Sequence, residues 1–301
     1  MVLVKNISFI KENNIVDISL LSKGWSGDEK YILTDINNVK YLLRKSKPEL
    51  YEKRKTQFNL LQEIEKLNIN CVKPIEFGVL QSKEVYTILT FLEGEDAVEA
   101  ILKLTDEEAY NLGIEAGIIL KKIHSIKIPK QSQSWWERYQ LKMQRKIDAL
   151  IQCEYRLPMQ EEIIKYYREN AYLMKERPLV FTHGDYHLGN MIINDKHIGI
   201  IDFDKINPAD PYDEFKPFCW NVIRNEYFET GLINGYFENK IPADFFKILK
   251  FYTAESLISH LPWATKFGNK EVSTALEISN KQMEWYDNFE LTIPKWYKSF
   301  K

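Results

Sequence analysis

Residues 14 to 92 carry most of the strand signals of this 301-residue chain, and beyond Glu93-Gly94-Glu95 the pattern turns helical. Asn14 to Leu21, Lys30 to Thr34, Val39 to Arg44 and Val85 to Phe91 are short and rich in β-branched and aromatic residues. Turn residues such as Asp35-Ile-Asn-Asn38 part them. Between the third and fourth runs, the polar stretch Pro48 to Leu67 sets Leu50, Phe58, Leu61 and Ile64 at the spacing of one helix face. After the acidic link, Thr105-Asp-Glu-Glu has capping-box spacing, and Ala109, Leu112, Ala116, Ile119, Leu120 and Ile123 repeat helically up to His124. Helical patterns return near 135–153, 159–175, 213–225, 243–261 and 272–289, while Met191 to Ile193 and Ile198 to Phe203 read as strands around Asn194-Asp-Lys196. The expectation is a two-lobed α+β fold with a cleft between the lobes. A small antiparallel sheet with one main helix spans 1–92, and a larger, mostly helical lobe spans 93–301.

Composition narrows the class. A net charge of −2 gives no general pull toward nucleic acid or an anionic membrane. No apolar run approaches a membrane span, and the N-terminal segment meets charge too early for a signal peptide. Cys71, Cys153 and Cys219 are scattered, an odd count without C-x-x-C spacing. The reading is a cytoplasmic protein without a disulfide framework.

One stretch carries the chemistry: Phe181-Thr-His-Gly-Asp-Tyr-His-Leu-Gly-Asn190, followed by Ile200-Ile-Asp-Phe-Asp204. An Asp, an Asn five positions on and a second Asp twelve beyond suit phosphoryl transfer from a metal-bound nucleotide. Asp185 would take the proton of an attacking hydroxyl. Asn190 and Asp202 offer the hard oxygen ligands that Mg²⁺ prefers. The bland alternative is a turn capped by Asp185. His183 and His187 lie four apart, but with no third soft ligand near they read as hydrogen-bonding the loop rather than binding zinc. His124 reads as a cap on its helix.

The pair H-G-D-x-H-x-x-N and I-D-F-D resembles the aminoglycoside phosphotransferase family, distant relatives of the protein kinases. Gly24-Trp-Ser-Gly-Asp28, Tyr41-Leu-Leu-Arg44, Pro74-Ile-Glu-Phe-Gly78, Ala116 through Ser125 and Asp210-Pro-Tyr-Asp213 follow in family order. The resemblance implies a protein-kinase-like fold and transfer of the γ-phosphate of ATP or GTP, with Mg²⁺, to a small-molecule hydroxyl. It implies Asp185 as base and Asn190 and Asp202 as metal ligands. Ser26 and Gly27 would sit at the tip of a phosphate-covering loop. Arg44, with Lys45 as a rival, would grip phosphate. Thr90 C=O and Leu92 N–H would meet the adenine ring. Where a glutamate is expected to pair with the strand cation the chain has Gln57, so either a weaker contact replaces the ion pair or another acid such as Glu63 serves.

The acceptor side is less defined. From Asp210 onward thirteen acidic and eleven basic residues nearly balance. Asp213, Glu214, Glu255 and Glu284 are candidates to meet a polycationic acceptor, and Trp263, Trp285, Tyr286 and Trp296 either wall that pocket or fill helix seams. The leading expectation is a kinase of an aminoglycoside-type antibiotic, acting as a monomer or weak dimer without nucleic-acid or membrane partners. A metabolic kinase of choline, methylthioribose or amino-alcohol type is the alternative. From another class, a nucleotide-binding regulator without turnover is motivated by Arg44 and Gln57.

Overall fold

The computed structural model describes residues 7–21, 27–128 and 133–298. By internal contacts the chain forms two units, Met1–Glu95 with Met191–Asp204, and Asp96–Asn190 with Lys205–Lys301. The first change of unit falls a few residues beyond the expected cut at 92, and residues 191–204 group with the first unit although far along the chain.

In the first unit, α1 (Ser8–Glu12) leads into a five-stranded antiparallel sheet. Its strands are β1 (Ile15–Leu20), β2 (Glu29–Asp35), β3 (Lys40–Ser46), β4 (Pro74–Val79) and β5 (Val85–Thr90), in the order β1-β2-β3-β5-β4. The expected helix is α2 (Tyr51–Glu65), which buries Phe58, Leu61 and Ile64. Phe9, Leu33, Leu43, Tyr86 and Ile88 form a core over the sheet. β4 was not foreseen, because Pro74 and Gly78 weaken its strand signal. The hairpin β8 (Met191–Asn194) and β9 (His197–Ile200) joins this unit through Val72 N–H donating to Ile200 C=O at 3.1 Å. Strand β6 (Glu95–Asp96) ends the first stretch.

The second unit is helical: α3 (Ala97–Ala100), α4 (Asp106–His124), α5 (Trp135–Ile151), α6 (Gln160–Asn170), α7 (Phe218–Val222), α8 (Glu226–Phe237), α9 (Phe245–Ala264) and α10 (Asn269–Trp285). Thr105 forms the anticipated capping box with Glu108. The helix expected over 213–225 is instead a 3₁₀ turn, Pro211–Phe215, followed by α7, with Pro217 between them. Helix α8 was missed because it is buried around much of its circumference, polar residues such as Glu229 and Asn234 included, and has two glycines inside it, so no helical stripe stands out. Short strands β7 (Val180–Thr182) and β10 (Asn207–Ala209) pair antiparallel and were also unforeseen, being only three residues long. Among the described residues no helix is long and apolar enough to cross a membrane.

Helices α4 and α8 approach closely through glycine. A Cβ on Gly113 would stand 2.1 Å from Phe228 C=O, and one on Gly231 2.1 Å from Tyr110 C=O. Neither contact tolerates a methyl group.

Candidate active site

The second unit builds the loop that carries Asp185. Strand β7 delivers it, and Gly184 turns it with φ +84°, where a Cβ would strike Lys205 C=O at 2.4 Å. Glu214, fully buried, accepts from His183 N–H at 2.6 Å with one oxygen and from Gly184 N–H at 2.7 Å with the other. Asn221 braces the far side, accepting from Leu188 N–H at 2.8 Å and donating to Glu229 at 2.7 Å. Tyr186 O–H reaches Ala116 C=O on α4 at 2.7 Å. Every anchor uses a buried polar group, and such groups cost least when fully paired.

Asp185 itself is half-buried. Lys205 Nζ donates to its Oδ2 at 2.8 Å, and His187 Nε2 lies 3.6 Å from Oδ1. His187 Nδ1 accepts from Gly189 N–H at 3.1 Å, which leaves Nε2 to carry the proton facing Asp185. Burial pushes the Asp185 carboxyl up, but His187 and Lys205 outweigh it and hold the group well below the usual carboxylate range. This carboxylate is therefore charged at neutral pH. Asn190 donates through Nδ2 to Asp185 C=O at 2.8 Å, so its amide oxygen is the atom left to bind a cation. The expected role of His187 in holding the loop fits these contacts. His124 does not cap its helix as expected: its ring nitrogens meet Tyr236 O–H at 2.8 Å and Glu214 at 3.4 Å.

In the first unit Arg44 occupies the predicted strand end, but its partners are acids the sequence reading missed. Its guanidinium forks onto both oxygens of Asp204 and bonds Asp28 through Nε. Arg54 joins the same cluster, bonding Asp28, Asp204 at 3.2 Å, Ser46 at 2.9 Å and Gln57 at 2.7 Å. Burial raises the Asp204 carboxyl, and the two arginines more than reverse that. Gln57 donates to Asp204 C=O at 2.6 Å rather than to Arg44, and Glu63 pairs with Lys66, so neither replaces the expected glutamate. Lys45, on the other face of the strand, pairs with Glu29 at 2.7 Å and Glu84 at 3.3 Å, which removes it as a rival. Gly27 is exposed in the turn whose next residue, Asp28, anchors both arginines, while Ser26 lies outside the described residues. Thr90 ends β5 and accepts from Lys73 N–H through its hydroxyl at 2.8 Å, and Leu92 lies over Gly199. Asp202 takes a left-handed φ of +61°, an uncommon conformation that Asp adopts more readily than most residues.

The sequence model of APH, the phosphotransferase enzyme family, matches residues 17–240. The chain belongs to that family. No curated protein matches the sequence. Among solved structures, the ADP-bound aminoglycoside phosphotransferase APH(2'')-Ib is 20% identical, covers 91% of this chain and 96% of its own, and gives a TM-score of 0.65. The GDP complex of aminoglycoside 2'-phosphotransferase-IIIa is 12% identical over 94% and 98% of the two chains, with a TM-score of 0.71. Amicoumacin kinase hAmiN, in complex with AMP-PNP, Ca²⁺ and Ami, is 13% identical over 97% of each, with a TM-score of 0.64. These likenesses establish the kinase-like fold, and the family match makes the chain a phosphotransferase.

The acidic residues expected to face an acceptor do not gather around one open surface of this phosphotransferase. Glu214 is consumed by the loop backbone. Glu255, completely buried in α9, accepts from Tyr139 O–H at 2.8 Å and from Lys146 Nζ at 2.9 Å. Asp213 is paired with Lys216, which also lies 3.4 Å from Glu255. Glu284 is exposed on α10. Of the aromatics, Tyr286 and Trp296 are core residues, whereas Trp263 is 44% exposed. A cavity of about 350 Å³ in the second unit is lined by Trp135, Arg138, Lys142, Lys205, Asp213 and Lys216, with Gly184 of the loop at its edge. Lys205 ties that cavity to Asp185.

Proposed function

We propose that this phosphotransferase moves the γ-phosphate of ATP or GTP to a hydroxyl of a small molecule, with Asp185 as the base. The observation that carries the reading is the Asp185 carboxylate, held ionised by Lys205 and His187 beside a cavity. The acceptor O–H gives its proton to Asp185 as its oxygen bonds to the γ-phosphorus. The bond from that phosphorus to the bridging oxygen breaks, and the nucleoside diphosphate leaves with the electron pair.

Asn190 and Asp202 are the metal ligands of this proposal. An amide oxygen freed by its Nδ2 contact and a carboxylate are the hard donors that Mg²⁺ takes. Bound there, Mg²⁺ would neutralise charge on the phosphate oxygens. Arg44 would grip phosphate from β3, Gly27 and Ser26 would cover it, and the Thr90 C=O and Leu92 N–H would meet the base. Nucleotides bound by the structural neighbours, ADP, GDP and AMP-PNP, support this donor class.

Aminoglycoside-type antibiotics are acceptors suggested by the family; with Glu255 buried, Asp213 at the cavity and the exposed Glu284 are the acids that would meet their amines. A metabolic hydroxyl compound is the second reading, favoured by the pairing of Asp213 and Glu255 with lysines. Incubating the full chain with Mg²⁺, ATP or GTP and a panel of hydroxyl compounds tests the reading. A product heavier by one phosphate group, absent with Asp185→Asn, is the expected result. Triphosphate left intact across the whole panel would overturn it and revive a regulator without turnover.

A further inference from the structure

The cavity beside Asp185 has the wrong charge for a polycation. Its lining offers Arg138, Lys142, Lys205 and Lys216 against a single carboxylate, Asp213. Counting the groups these touch, Arg138, Lys142, Lys146, Lys205 and Lys216 set five cations against the three carboxylates Asp185, Asp213 and Glu255. Two of the cations are poorly matched. Lys142 is half exposed and only 3.9 Å from the already shared Glu255. Arg138 pairs with no carboxylate among the described residues: its Nη2 donates to Pro208 C=O at 3.0 Å, and its Nε finds no acceptor there.

Both stand on one face of α5, separated by a single helical turn, as do Trp135 and Tyr139. The helix is fixed by the Ser134–Glu137 capping box and by burial of Trp135, Tyr139, Met143 and Ile147. The cationic wall is thus part of a rigid element, and a planar fork beside a mobile ammonium is the pairing that recognises carboxylate or phosphate. A volume of about 350 Å³ is near the low end for small-molecule sites, enough for one ring or a short chain.

We infer that the acceptor is a small hydroxylated anion, whose carboxylate or phosphate is held by Arg138 and Lys142 while its hydroxyl is presented to Asp185. This rests on the phosphotransferase reading above and names its substrate class. Lys216 is turned inward to Asp213 and Glu255, so it shapes the wall rather than meeting the anion.

The test uses matched compounds that differ in charge: gluconate and glucose 6-phosphate, neutral glucose, cationic glucosamine, and the shorter glycerate, glycerol and serinol, with kanamycin as polycation. Binding to the full chain is measured by calorimetry with Mg²⁺ and a non-hydrolysable ATP analogue, and turnover by mass spectrometry. An anionic member should bind at least tenfold more tightly than its neutral counterpart. Arg138→Gln and Lys142→Gln should each weaken that binding about tenfold and leave the affinity for the ATP analogue within twofold. Gluconate against glucose 6-phosphate decides between carboxylate and phosphate. Equal or tighter binding of the cationic members, no binding by any anion, or variants that weaken only the nucleotide would each overturn the inference. Transfer to kanamycin without anion binding would sink the inference and keep the kinase; anion binding without transfer to any member would leave an anion site but overturn both its role as acceptor site and the kinase reading.

Discussion

Lys205 Nζ sits 2.8 Å from Asp185 Oδ2, so the proposed base is ion-paired before any acceptor binds. With His187 it keeps the carboxyl depressed, and the pair contributes stability above the ordinary carboxylate pKa that is lost as pH falls through the lowered one. Lys205→Met removes one of the two partners, the ammonium. The acid limb of the kcat/KM profile should then move to higher pH, and Lys205→Arg should restore it. Asp185→Asn should lower kcat by about 10²–10⁴ with nucleotide affinity kept. A profile unmoved by Lys205→Met would exclude the coupling.

Glu214 gives one oxygen to each of two loop amides. Glutamine offers only one acceptor and turns an N–H₂ toward the other amide. Glu214→Gln should cost about 1–3 kcal/mol in urea unfolding and lower kcat by more than it changes nucleotide affinity. Full activity in this variant would show that the loop does not depend on the carboxylate.

The cluster of Arg44 and Arg54 with Asp28 and Asp204 is nearly dry, Asp28 having a side chain only 3% exposed. Arg44→Ala strands buried negative charge and should destabilise the chain by about 3–5 kcal/mol. Arg44→Lys keeps the charge but not the fork and should cost less. Thermal melts of the two variants provide the comparison, and equal melting temperatures would argue against a role for the fork.

Glu229 lies buried beneath the loop brace, and burial raises its pKa from 4.5 to about 7, only partly offset by Asn221. The folded state therefore holds a proton that the unfolded chain releases. Stability should fall as pH rises from 4.5 toward 7, by about 3 kcal/mol at 1.36 kcal/mol per pH unit. Glu229→Gln should flatten that slope and be the more stable protein at pH 8. Denaturant midpoints at pH 5 and pH 8 measure it.

Gly113→Ala forces a methyl group into Phe228 C=O. A loss of about 1–3 kcal/mol or more is expected from such overpacking, with urea midpoints as the readout. A neutral result would mean that α4 and α8 can part without cost.

The geometry of the Asp185 loop was legible because it is local: His183 to Asn190 is one loop, and Gly184, Asp185 and Asn190 lie within a few residues of each other. Arg44 was legible only as a cation at a strand end. Its counter-ions lie 16 and 160 positions away, a separation no spacing rule spans. Glu255 misled for a related reason. An acid within an apolar helix reads as a functional candidate, but the lysines that neutralise it come from α5 and the turn after β10. The same distance hid part of the cationic wall: Lys142 looks like any solvated helix residue until Lys205 and Gly184 are seen beside it. Helix α8 failed on period, since a segment buried on every side presents no stripe.

The turn Pro211–Phe215 and its neighbours set a limit on how this protein can diversify. Asp210 is locked to Arg177 and Tyr252, Glu214 holds the loop, and Asp213 with Lys216 closes the floor of the cavity. Mutations there trade one function against another within seven consecutive residues. Helix α5 is anchored by its apolar side, its capping box and the bonds of Tyr139 and Lys146 to Glu255, so Arg138 and Lys142 are open to change at little structural risk. Descendants of this chain would acquire new acceptors by rewriting α5 and would leave the turn as it is.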